Sequence, residues 1–292
     1  MTAQPEAFFL PVADTDKAQN GQRFCLFYAS QGSVKHGQVL YIHPFAEEMN
    51  KSRRMASLQA RSLAQSGYDV LQIDLLGCGD SSGDFGDATW QSWVNDVVRG
   101  CHWLRVRADS QVGQVRRPPL WLWGLRAGCL LAVQAASQLD EPCNFLFWQP
   151  PSSGKPLLQQ FLRLKVAGDM FGGQSKGVME AMRQQLASGS PVEIAGYMLS
   201  SGLASGLEVA ALTPPPKTNP QSSAQVAWFE VSTREDASLS PISTQTISRW
   251  QQAGFTVNSH NANGPLFWQT TEIEDAPALL QATTVALAKA AA

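Results

Sequence analysis

A turn able to present a reactive side chain lies at Gly124-Leu125-Arg126-Ala127-Gly128, between the apolar run 120–123 and a second apolar segment at helical spacing. This is the layout of a nucleophile elbow, the strand–turn–helix of G-x-S-x-G that lifts one side chain above a sheet. The central residue of such a turn is forced to strained backbone angles, so its neighbours must be small. Here the centre is Arg126. A guanidinium carries five donors and no acceptor and does not deprotonate in proteins. It can be neither nucleophile nor general base. A cation at a helix N-terminus is also disfavoured by the helix dipole, by about 0.3–1 kcal/mol, and an enclosed, unpaired one by far more. An acidic partner or an anionic ligand is therefore expected. Glu47, Glu48, Asp80, Asp84 and Asp236 are the protein's own candidates.

The other groups of an acyl-transfer site can be sought in chain order. His43-Pro44-Phe45 follows a strand and stands where one oxyanion-stabilising amide is expected, that of Phe45; the second would be that of Ala127. Two amides at the mouth of a helix make an anion site whatever lies between them. The acid should follow the strand near 224–231, which offers Asp236; of the four histidines only His260 comes later. The loop beyond it, Asn263-Gly264-Pro265-Leu266-Phe267-Trp268, carries apolar bulk where a base would sit. Ser81, Ser82 and Cys129 lie near the expected pocket, but no base is identified to activate them. Asp74-Leu75-Leu76-Gly77-Cys78-Gly79-Asp80-Ser81 reads as scaffold, a sharp turn that Asp74 ties down through backbone amides. No metal-ligand or cofactor pattern is present, and none is expected to be needed.

The elements that position these residues alternate. Residues 23–29, 38–42, 68–73, 120–123, 143–148, 224–231 and 255–259 read as strands, and a short apolar piece, 7–12, precedes them. The runs 23–29 and 38–42 suggest an antiparallel start. Helices are expected over 53–65, 127–138, 242–253 and 272–289. Thr89 can cap another whose apolar positions are Trp90, Trp93, Val94, Val97, Val98, Cys101 and Leu104. Strands alternating with helices imply parallel βαβ units, and near-continuous apolar strands imply a sheet covered on both faces. The pattern breaks over 151–220, rich in Gly, Ser and Pro, with helices expected near 156–170 and 176–187. A segment that long is more than an ordinary loop. It reads as a cap or lid inserted into a core formed by 1–150 and 221–292.

A net charge of −2 and a pI near 6.1 argue against a nucleic-acid partner. Five cysteines, an odd number placed mostly in apolar runs, point to reduced thiols of a cytoplasmic protein. No basic segment leads a long apolar stretch at the N-terminus, and no run approaches the roughly 18 apolar residues of a membrane span. With 292 residues and 44% hydrophobic content, one large core is expected.

The segment YIHPFAEEMNKSRRMASLQARSLAQSGYDVLQIDLLGCGDSSGDFGDATW (41–90), with WLWGLRAG (121–128) and VSTREDASLSP (231–241), resembles the exosortase A system-associated hydrolase 2 family. The resemblance runs over most of the chain. It implies the α/β-hydrolase fold, a mostly parallel eight-stranded sheet with helices on both faces and a cap insertion. It also implies a cytoplasmic protein tied to exopolysaccharide production and PEP-CTERM protein sorting, with a partner from that system. Against the superfamily's triad this chain departs at Arg126 and at Leu266-Phe267. Two readings stand: a hydrolase of ester or thioester type using an unconventional set, His43 or His260 with Asp236; or a non-catalytic protein binding a small anionic or acyl ligand, or a protein partner, at the elbow.

Overall fold

The computed structural model describes residues 4–12, 21–32, 34–110, 117–170, 177–216 and 224–291. Ten strands and eight helices are found among them: β1 (Glu6–Val12), β2 (Gly21–Tyr28), β3 (Gly37–Ile42), α1 (Glu47–Gln65), β4 (Tyr68–Ile73), α2 (Trp90–Asp109), β5 (Leu120–Leu125), α3 (Ala127–Ala136) and β6 (Asn144–Trp148). After these come α4 (Lys155–Met170), α5 (Val178–Ala187), β7 (Val192–Ile194), β8 (Tyr197–Leu199), α6 (Ser201–Val209), β9 (Gln225–Ser232), α7 (Pro241–Gln252), β10 (Thr256–Asn263) and α8 (Pro277–Ala291). Eight strands form one sheet in the order β1-β2-β4-β3-β5-β6-β9-β10, parallel from β4 through β10.

The expected antiparallel start is corrected in its partners. β2 pairs antiparallel with β1 and with β4, whereas β3 passes beyond β4 to lie between β4 and β5. The crossover through α1 reaches β4 on one side of β3, and the crossover through α2 brings the chain back to β5 on the other. The chain thus reverses direction at β3. In open parallel sheets, crevices form outside the carboxyl ends of the strands at such a switch point.

Alternation of side chains sorts the central strands onto two cores. Leu40, Ile42, Leu120, Leu122, Phe145 and Phe147 face the layer of α2, α3 and α7. Val39, Tyr41, Trp121, Trp123, Leu146 and Trp148 face α1 and α8. Both faces are dry, so β3, β5 and β6 read as unbroken apolar runs. β10 is an edge strand, and it is largely exposed and polar, TVNSHNAN.

Two helix starts differ from the sequence-based expectation by more than a turn. α1 starts at Glu47 rather than near 53, because the polar turn Glu47–Lys51 continues the helix at the end of the sheet. α8 starts at Pro277 rather than 272, with Pro supplying the fixed φ that suits a first turn. Between β6 and β9 stand α4, α5, the β7–β8 hairpin and α6; the hairpin and α6 were not expected. The expected boundary between 220 and 221, and residue 176 of the second expected helix, lie outside the described residues.

Packing at the elbow leaves no room for a methyl group. A Cβ on Gly128 would lie 2.2 Å from the Ile42 carbonyl oxygen and 2.9 Å from that of His43, so α3 presses directly on the end of β3. Both neighbours are backbone and cannot rotate away. Gly128→Ala should cost about 2–3 kcal/mol of stability, read as a lower urea midpoint; an unchanged midpoint would mean the helix stands farther from β3.

Candidate functional site

Arg126 sits between β5 and α3 with φ 54° and ψ −117°. A bulky residue in this region is strained by about 1–3 kcal/mol and persists only where the surroundings fix it. They do so here. The Arg126 amide donates to Trp148 O at 3.0 Å, and the Arg126 carbonyl accepts from the Cys129 amide at 3.0 Å. A Cβ on Gly124 would lie 2.4 Å from the Cys129 nitrogen. The elbow geometry expected of G-x-S-x-G is therefore present with an arginine at its apex.

Of the five acidic candidates, the structure selects Glu48. Arg126 Nε donates to Glu48 Oε1 at 3.2 Å and to Oε2 at 3.3 Å, and Nη2 donates to Oε1 at 3.0 Å. Nη2 also donates to Gln160 Oε1 on α4 at 3.1 Å, and the guanidinium lies 5.9 Å from the Trp268 ring centroid. Glu48 occupies the first turn of α1, where the helix dipole favours an anion. Burial pushes the Glu48 carboxyl above its ordinary value, opposed by Arg126 and by a hydrogen bond from Gln269. Both side chains are largely withdrawn from water, at 13% and 19% exposure.

Above this pair lies a cleft of about 490 Å³, walled by Phe45, Leu157, Phe161, Tyr197 and Trp268. Phe45 and Phe161 meet edge-on at 5.0 Å, and Phe161 meets Tyr197 at 6.2 Å. Phe45 lies in the loop between β3 and α1, where Ala46 is held at φ 51° and ψ −129°, close to the conformation of Arg126. Among the described residues, the Phe45 and Ala127 amides donate to no acceptor.

The remaining candidates lie elsewhere. His43 is buried, with Nδ1 2.8 Å from the Pro44 carbonyl oxygen and Nε2 accepting from the Leu75 amide at 3.3 Å. That pattern fixes the neutral Nδ1–H tautomer, and burial lowers the affinity of the ring for a proton. Its work is to hold the 43–46 loop against the turn after β4. Asp236 is corrected as a pocket acid: its side chain is 82% exposed and stands 3.6 Å from Arg234 in a solvent-facing loop. His260 is corrected as a base. It lies inside β10, three residues before the strand ends, stacked on Phe229 at 4.9 Å and bordering a separate depression with Lys289. None of the four histidines lines the elbow cleft.

The alternative nucleophiles are structural. Cys129 is buried, donates through Sγ to the Gly124 carbonyl at 3.1 Å, and has its thiol pushed well up by burial. Ser81 Oγ donates to the Asp74 carbonyl and accepts from the Phe24 amide, while Ser82 Oγ accepts from the Gln22 amide. Asp74 accepts from the Asp80 amide at 3.2 Å and from Arg53 Nη2 at 2.8 Å, which ties down its turn as the sequence suggested. Gly79, at φ +55°, is needed there because a Cβ would meet Asp74 Oδ2 at 2.0 Å. Among the described residues no cluster of His, Cys, Asp and Glu could hold a metal ion, and no helix is long and apolar enough to cross a membrane. Gln160 was missed from the sequence, and Trp268 was read only as apolar bulk in its loop; no motif marks either, and only the fold brings them to Arg126.

No family model matches the chain. Human protein ABHD12B is 28% identical over 119 residues, which is 40% of this chain and 29% of that protein's length. Among solved structures, a soluble variant of monoglyceride lipase from Saccharomyces cerevisiae in complex with a substrate analog superposes with a TM-score of 0.61 at 17% identity, covering 99% of this chain and 95% of that one. Est1E from Butyrivibrio proteoclasticus with ferulic acid bound gives 0.60 at 12% identity, covering 92% and 94%. The α/β hydrolase GrgF from Penicillium sp. gives 0.59 at 14% identity, covering 99% of each. Taken with the topology, these likenesses establish that the chain has the α/β-hydrolase fold.

Two measurements check the site's energetics. A double-mutant cycle on Arg126→Met and Glu48→Gln should return a coupling of about 1–3 kcal/mol, each single change costing more than the double implies; strict additivity would mean the two charges do not pair. The second concerns His43. The unfolded chain takes up a proton near pH 6.5 and the buried ring does not, so this contribution is complete above that pH and is lost as pH falls below it. The slope reaches at most about 1.4 kcal/mol per pH unit. Urea melts across pH 5–7 should show a shallower dependence for His43→Gln than for wild type, and equal slopes would remove the burial account.

Proposed function

We propose that this protein binds an acyl-type ligand in the elbow cleft without hydrolysing it, and that residues 151–220 act as the cap over that cleft. The observation that carries this reading is Arg126 at the elbow apex with its charge taken up by Glu48 and Gln160. An acyl-transfer site needs a nucleophile within hydrogen-bond reach of a base. The cleft offers a permanently protonated guanidinium instead, and no imidazole lines it. The Phe45 and Ala127 amides remain as donors for a ligand carbonyl, a role that requires no turnover. Support for the cap comes from Leu157, Gln160, Phe161, Leu164, Ala195 and Tyr197, all of which line the cleft from the segment between β6 and β9.

A hydrolase of the exosortase A type is the second reading, and the α/β-hydrolase fold together with the resemblance over 41–90 favours it. Under that reading the protein would serve exopolysaccharide production and PEP-CTERM sorting in the cytoplasm alongside a protein partner. The same setting is compatible with a binding role, and the resemblance is its support in either case.

Labelling with a fluorophosphonate probe and a panel of acyl esters and thioesters separates the two. We expect no covalent label and no turnover above the uncatalysed rate for wild type. Arg126→Ser should stay silent as well, since a serine at the apex would find no base. Robust hydrolysis by the wild-type protein would defeat the binding reading.

A further inference from the structure

We infer that the cleft selects an amphiphile with an apolar tail and an anionic head, of the fatty-acyl carboxylate class, and that the Lys51 ammonium rather than the Arg126 guanidinium receives the head. The inference deepens the binding reading above and rests on it. Four charged side chains line the cleft: Glu47, Glu48, Lys51 and Arg126. Three of them are already answered from within the protein. Glu48 and Arg126 neutralise each other, with Gln160 and Gln269 closing the set. The Glu47 carboxylate accepts from the Tyr197 hydroxyl at 2.8 Å and from the Asn50 amide at 3.1 Å. Lys51 differs. It is partly buried and lines the cleft, and among the described residues no hydrogen bond or ion pair within 4 Å reaches it, although it stands four residues beyond Glu47 on the same helix. Its charge also favours the ionised Glu48 carboxylate from farther off. The Glu47 carboxylate accepts from Tyr197, and Lys51 is part of the cleft wall.

An ammonium with no hydrogen-bonded partner gains more from an incoming carboxylate than one already paired at close range does. A cationic head would meet the reverse situation: two carboxylates already satisfied and two positive charges beside it. The tail follows from the walls. Phe45, Leu157, Phe161, Leu164 and Trp268 present apolar surface continuously from the elbow to the cap, and Leu164 is 52% exposed at the rim. The volume, about 490 Å³, falls in the range of roughly 300–1,000 Å³ that encloses small ligands.

Three ligands with one tail and different heads test this: dodecanoate, dodecan-1-ol and dodecylammonium, titrated calorimetrically below their micelle concentrations. Wild type should bind dodecanoate most tightly and dodecylammonium least. Lys51→Met keeps the aliphatic stem and should weaken dodecanoate about tenfold while changing dodecan-1-ol by less than about twofold. Lys51→Glu should invert the preference toward dodecylammonium. If dodecan-1-ol binds wild type as tightly as dodecanoate does, or Lys51→Met leaves dodecanoate unchanged, the head-group assignment is overturned while the binding reading stands. If none of the three binds, both fall.

Discussion

A guanidinium held on a strained turn is the constraint on which the site depends. The backbone at Arg126 has no freedom: its amide is fixed to the end of β6, its carbonyl to α3, and the flanking glycines let α3 and β3 approach to contact. The side chain is therefore aimed, and a full positive charge is delivered to the mouth of a helix whose dipole opposes it. Water cannot answer that charge fully at this depth, so protein groups must. Glu48 does so from the first turn of α1 and Gln160 from α4. One charge thereby joins the elbow, the loop after β3 and the segment above the cleft.

That linkage has a chemical consequence. In a fold where an apex hydroxyl works with an acid and a base from the later loops, all three positions here serve other ends. The apex is a cation. The loop that could carry a base delivers Phe267 and Trp268, both buried; Trp268 lies beside the Arg126 guanidinium and Phe267 packs edge-on against Trp148 and Trp268. Asp236 faces solvent, and His260 stacks inside an edge strand. The binding reading proposed above rests on what else the cleft holds: two backbone amides beside apolar walls.

The elbow, the Thr89-capped helix and the Asp74 turn were legible because each is a local event. Apolar spacing, a capping hydroxyl and glycines at positive φ are all set by neighbouring residues. The sheet order was less so, since β3 meets β4 and β5 through crossovers that no short-range signal specifies. β10 was read too short because an edge strand need not alternate, and Asn258 to Asn261 are polar. The β7–β8 hairpin and α6 are short, and the latter carries two glycines and two serines (SGLASGLEV), which masks its helical period. An acidic partner for Arg126 was required by charge alone. Which of five carboxylates it would be depended on where α1 begins, and that boundary was misplaced by six residues. The role of Lys51 was hidden for the same reason.

The state of the Arg126 side chain is the most direct test of this account, and nitrogen-detected NMR of its Nε–H reports it. A guanidinium locked to Glu48 should give a slowly exchanging Nε–H signal that becomes fast-exchanging in Glu48→Gln. An Nε–H in wild type that exchanges as rapidly as that of an exposed arginine would contradict it. The charge would then be free in the cleft, and the structural use assigned to it here would be wrong.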